Sequence, residues 1–109
     1  MSDLTRRPKS IPVAADVLAT LRAHEGALRA AGIQSMALFG SVARGDADPD
    51  SDVDLAVKFD PAAHVDLVRL VGLEREVGAL LARKVDLVPL PVEKMRLRAN
   101  MERDRKDVF

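Results

Sequence analysis

Apolar positions along this chain change period from segment to segment, and each change marks an element. From Pro12 to Ala31, Val17, Leu18, Leu21 and Leu28 keep helical spacing, and Gly32 stands where a helix stops. His24 is expected as an exposed residue of that helix. Ile33 to Phe39 is a short, mostly apolar run ending at Gly40, which predicts a strand closing on a sharp turn. After a loop over 42–51, strict alternation begins at Asp52. Val53, Leu55, Val57 and Phe59 share one face of this second strand, and Asp52 and Asp54 open the other.

Asp60-Pro61 is suited to begin a helix, as cap and first-turn proline, and Val65, Val68, Leu73, Val77, Leu80 and Leu81 supply its apolar face as far as Arg83. Lys84 to Leu90 predicts a third strand, and Pro91 opens a last helix reaching about Met101. The charged stretch Glu102 to Asp107 ends in Val108-Phe109, which leaves two readings, a loose tail or a short strand folded back. Residues 1–10 are polar and proline-containing, and read as a flexible arm before a single domain over 11–109. Helix, strand, strand, helix, strand, helix indicates an α/β fold: a small mixed sheet with helices packed on one face and the other face open to substrate.

That open face begins with two acids. Residues i and i+2 of a strand point the same way, roughly 7 Å apart, so Asp52 and Asp54 can reach one cation or a close pair. Drawn to about 5 Å without a cation, two carboxylates repel by roughly 3 kcal/mol at an effective dielectric near 20. Oxygen donors favour Mg²⁺ or Mn²⁺ over zinc, since the chain has no cysteine and His24 and His64 lie far from the pair in sequence. Asp86, between Val85 and Leu87, faces away from its apolar neighbours. Two readings stand for it: a third acid of the cluster, if its strand lies beside the second, or a surface residue of a half-exposed strand.

Two lookalike motifs fail on single residues. Gly40 to Gly45 opens like a P-loop, but Asp46 and Ala47 occupy the positions of the required Lys and Ser/Thr. The acids from Asp46 to Asp54 suggest a calcium loop, yet Ser51 and Val57 replace the needed glycine and glutamate. Asp46, Asp48 and Asp50 are therefore read as a solvated, turn-forming loop around Pro49.

Composition narrows the partners. Seventeen basic and seventeen acidic side chains cancel, so no global field draws the chain to nucleic acid or to a membrane surface. Three phenylalanines, with no tyrosine or tryptophan, leave little for stacking bases, which argues against direct nucleic-acid binding. No apolar run reaches transmembrane length and no signal-peptide pattern opens the sequence. With the lack of cysteine, this gives a cytoplasmic expectation.

Gly40-Ser41, Ala43-Arg44-Gly45, Ser51-Asp52-Val53-Asp54-Leu55 and Lys84-Val85-Asp86-Leu87-Val88 together resemble the minimal nucleotidyltransferases of the DNA polymerase beta superfamily. The resemblance runs through nearly the whole chain and implies a palm-like nucleotidyltransferase fold. It implies that Gly40 and Ser41 contact the phosphates of ATP, that Asp52 and Asp54 hold Mg²⁺, two ions in all, and that Asp86 is the third catalytic and metal-binding acid. Arg44 either neutralises phosphate or pairs with Asp46 or Asp48. Small members of the family commonly act as antitoxins beside a HEPN-domain ribonuclease toxin. The resemblance thus implies AMP transfer from ATP to a hydroxyl of that partner. Its alternatives are an antitoxin that neutralises by binding alone and a transferase acting on a small molecule such as an antibiotic.

Overall fold

The computed structural model describes residues 10–109, so the expected arm lies outside the described residues except for Ser10. The elements are α1 (Ala14–Ala23), α2 (Glu25–Ala30), β1 (Ile33–Phe39), α3 (Gly40–Arg44), β2 (Val53–Phe59), α4 (Leu67–Leu81), β3 (Val85–Pro89), α5 (Met95–Asp104) and β4 (Lys106–Asp107), with a 3₁₀ turn at Pro61–Ala63. The strands form one mixed sheet in the order β3-β2-β1-β4. β1 is antiparallel to β2 and to β4, whereas β2 and β3 run parallel. The parallel pair requires a crossover, and α4 supplies it.

Alternation along β2 decides which face is which. Val53, Leu55 and Val57 are wholly buried in the main core with Met36 and Leu38 of β1, Val85 and Leu87 of β3, and Val17, Leu21, Leu28, Leu73 and Val77 of the helices. α1, α2 and α4 therefore cover the face opposite the acids. α5 lies across the other face, where Met101 and Leu97 pack with Phe39, Ala56, Val88 and Val92. The acidic face is thus open over its Asp54 end and roofed farther along. At the outer edge of the sheet, Glu74 of α4 accepts the Leu87 amide at 2.9 Å, giving a partner to a donor that no further strand can meet.

Four expectations are corrected. The first helix is two helices, because the backbone leaves helical geometry at His24, whose ring bonds the Thr20 carbonyl at 2.9 Å; His24 is a half-buried joint, not an exposed helix residue. Gly40–Arg44, at the mouth of the expected loop, is a short helix ended by Gly45 at φ 82°. Asp60 caps only the 3₁₀ turn; the chain then passes through a left-handed residue at His64, and Asp66 caps the long helix by accepting Arg69 N–H at 2.8 Å. With its start moved, Val68 is 82% exposed while Leu73 and Val77 fill the core. Pro91 does not open the last helix, which begins at Met95 and continues to Asp104.

The tail takes the folded-back reading. Lys106 and Asp107 pair with β1, Val108 N–H donates to the Met36 carbonyl at 2.9 Å, and the Val108 side chain is buried. Arg22 and Arg29 hold it from outside, Arg22 through the Asp107 and Val108 carbonyls and Arg29 over the Phe109 ring.

Leu55→Ala is expected to cost about 3 kcal/mol in chemical denaturation, because Leu55 is fully buried between the sheet and the α1/α4 layer. An Asp66→Ala change should cost only about 1 kcal/mol, the usual value of a lost helix cap.

Candidate active site

Three segments end at the same edge of the sheet and bring the expected residues together. β1 ends at Phe39, directly opposite Asp54 in the antiparallel register, so the Gly40 turn stands over the start of β2. Gly40 adopts φ 80°, and a Cβ there would collide with the Asp54 carboxylate. Only glycine lets the turn come this close to the acid. α3 begins at Gly40 without a side-chain cap, so its first N–H groups have no partner within the helix.

On the other side of β2, the parallel register sets Asp54 against Asp86. Partners in neighbouring strands are about 4.8 Å apart and point to the same face, so the two carboxylates lie side by side. Asp86 is thus beside Asp54 and not a solitary surface acid. Asp52 lies just before β2 and leans to Lys84, whose Nζ is 3.8 Å from its carboxylate. Among the described residues, no three Asp, Glu or His side chains converge into a ready metal-holding group. The three expected ligands are therefore two neighbours and a third within range of their field.

The electrostatics follow from this crowding. Burial raises the Asp54 pKa from 3.8 to about 6, and the charges of Asp86 and Asp52 push it the same way, while Arg44 pulls it down. A hard divalent cation would relieve both the burial and the repulsion. An oxygen-only donor set of this kind fits Mg²⁺, with Asp54 and Asp86 as its natural holders and Asp52 available on release from Lys84.

Arg44, at the end of α3, takes the pairing alternative in a form the spacing did not suggest. Its Nε bonds Asp46 at 3.1 Å, and its Nη1 bonds Asp104 of α5 at 2.7 Å. Asp104 was missed because it sits in a stretch of charges. Its helical spacing from Leu97 and Met101 could have revealed it, since it places an acid on the buried face of α5. Asp46 to Ser51 behaves as the expected turn: Asp48 accepts the Asp50 amide at 2.8 Å, and the Ser51 hydroxyl accepts the Asp48 amide at 2.9 Å.

Under α5, farther along the same sheet face, lies a cavity of about 350 Å³ with Ala37, Phe39 and Ala56 as its floor and Lys58 and Arg105 among its lining. Sequence reading missed it as well, because it depends on where α5 crosses the sheet.

Comparisons with known proteins give the family and the fold. Residues 21–108 match the family described as nucleotidyltransferase domain. The chain is 39% identical over 74 residues to the protein adenylyltransferase MntA of Thermococcus cleftensis, spanning 67% of this chain and 73% of that protein. A chain of a toxin–antitoxin complex solved with AMP-PNP superimposes with a TM-score of 0.67 at 26% identity, over 83% of this chain and 72% of the other. The fold recurs, with a TM-score of 0.62 at 23% identity over 85% of this chain and 71% of the other, in the Shewanella oneidensis complex of a tri-AMPylated HEPN toxin with an MNT antitoxin.

The raised Asp54 pKa carries a sign for stability. The folded protein holds that proton more tightly than the unfolded chain, so the stability it confers is complete below about pH 3.8 and is lost as pH rises through about 6. With divalent cations chelated, Asp54→Asn is therefore expected to stabilise the protein at pH 7.5. The gain should be roughly 1 kcal/mol once solvent screening is allowed for, and should vanish near pH 4. Denaturation curves at the two pH values measure it; a loss of stability at pH 7.5 would contradict the crowding.

Proposed function

Because this chain belongs to the nucleotidyltransferase domain family, we propose that it is a cytoplasmic, Mg²⁺-dependent protein adenylyltransferase, the antitoxin that moves AMP from ATP to a hydroxyl of a HEPN-domain toxin. The observation that carries this reading is the pairing of Asp54 with Asp86 beneath the Gly40 turn, in a chain similar to a protein adenylyltransferase. No helix among the described residues is long and apolar enough to cross a membrane.

In this reading the N–H groups of Gly40 and Ser41 and the Arg44 guanidinium bind the β- and γ-phosphates, and the α-phosphorus lies over Asp54. Arg44 reaches phosphate by exchanging its exposed partner Asp46, a pairing of small net value at the surface. An acceptor hydroxyl attacks the α-phosphorus from the side away from α3. The new O–P bond forms as the bond to pyrophosphate breaks, and Asp86 takes the hydroxyl proton. Asp52, Asp54 and Asp86 would hold Mg²⁺, which would supply positive charge to the attacking and leaving oxygens. The cavity under α5, on the same sheet face as Asp54, offers space for another part of a substrate.

Incubating the purified chain with its HEPN partner, ATP and Mg²⁺ is expected to raise the partner's intact mass by whole AMP units. Asp54→Asn should slow this at least about a hundredfold, because the acid acts on charge that develops in the transition state. Neutralisation of the toxin with its mass unchanged would overturn transfer and leave an antitoxin that works by binding alone.

A further inference from the structure

Asp104 is the one buried polar or charged residue among the described residues, at 8% exposure, and it sits where local rules disfavour it. It is the last residue of α5, the helix end whose dipole favours cations, and it faces the same side as the core residue Met101. Burying a carboxylate there requires cations. Arg103 supplies one, Nε to Oδ1 at 3.1 Å, and the flanking Arg105 turns outward to Asp107. The other carboxylate oxygen is met by Arg44 Nη1 at 2.7 Å, from the far end of the helix that begins at Gly40.

The two acids on Arg44 are not equivalent. Asp46 is 61% exposed in its side chain, whereas the Asp104 side chain is 3% exposed. An exposed pair exchanges easily for another anion, while separating a buried carboxylate from its cation is costly. Arg44 is thus fixed on one edge and exchangeable on the other.

We infer that Asp104 is a positioning residue for nucleotide binding: from α5 it holds the Arg44 guanidinium at the end of the helix that begins at Gly40, so that its Nε edge can trade Asp46 for a phosphate oxygen. The inference rests on the phosphate-binding reading of the Gly40 turn. It assigns the C-terminal helix a part in holding the triphosphate, although Asp104 itself touches no substrate.

Calorimetric titration of the full chain with ATP and Mg²⁺ tests this without an acceptor. Asp104→Asn is expected to weaken ATP about tenfold, the size of one lost charge-assisted contact. Arg44→Ala should weaken it at least as much, and the double variant should bind no worse than Arg44→Ala alone, because Asp104 acts only through Arg44. Arg103→Ala, which removes the other partner of Asp104, should stay within about twofold of the parent chain. Should Asp104→Asn fail to fold, Asp104→Glu, which keeps the charge but displaces it, carries the same cycle. Losses that add in the double variant, or an Asp104 variant that binds as the parent does, would overturn the inference. A parent chain that binds no ATP at all would overturn the function proposed above and this inference with it.

Discussion

Two carboxylates set side by side on parallel strands are the constraint on which the rest of this site depends. The β2–β3 register fixes Asp54 against Asp86, and nothing in the core can relax it, since a slip by one residue would turn Val53, Leu55, Val85 and Leu87 out of the interior. The apolar face of the sheet thereby enforces an unfavourable arrangement on the acidic face. Burial first, and then the charge of the neighbouring Asp86, raise the Asp54 pKa to about 6. Proteins keep such local conflicts where a ligand resolves them, and the proposed function supplies one in a divalent cation held beside the Gly40 turn.

Around that pair the fold is arranged by layers. α1, α2 and α4 stabilise the sheet from behind, which leaves the acidic face for chemistry. α3 is too short to be stable alone, but Val42 and Ala43 anchor it in the core, so that Gly40 presses against Asp54. α5 then crosses the same face, closes a cavity over Ala37, Phe39 and Ala56, and sends Asp104 to Arg44. α5 thus meets α3 beside the site, and β4 locks the tail to the opposite edge of the sheet.

Much of this was legible in the sequence, and the parts that were not share a cause. The alternation of Val53 to Phe59 identifies β2 and its acidic face because a half-buried strand leaves a period of two. The bend at His24 and the left-handed turn at His64 leave no such signal, since neither is a glycine, and periodicity carried both helices through them. Val68 was assigned to the core for that reason: the true cap is Asp66, a turn later than Asp60. Pro91 fits a first helical turn as well as it fits the irregular segment it occupies, and local sequence does not separate the two. Asp104, Lys58 and the cavity depend on how α5 crosses the sheet, a tertiary relation that one strand or helix does not encode. The pairing of Asp54 with Asp86 was legible only as a condition, because strand order is not written in either strand.

A crystal structure of the chain with Mn²⁺ and a non-hydrolysable ATP analogue, using the anomalous signal of the metal, tests the acid pair outright. A manganese peak between Asp54 and Asp86 is expected, with Asp52 turned from Lys84 toward it and the phosphates at the Gly40–Ser41 turn. Phosphates bound elsewhere, with Asp52 still on Lys84 and no metal between the two acids, would contradict it.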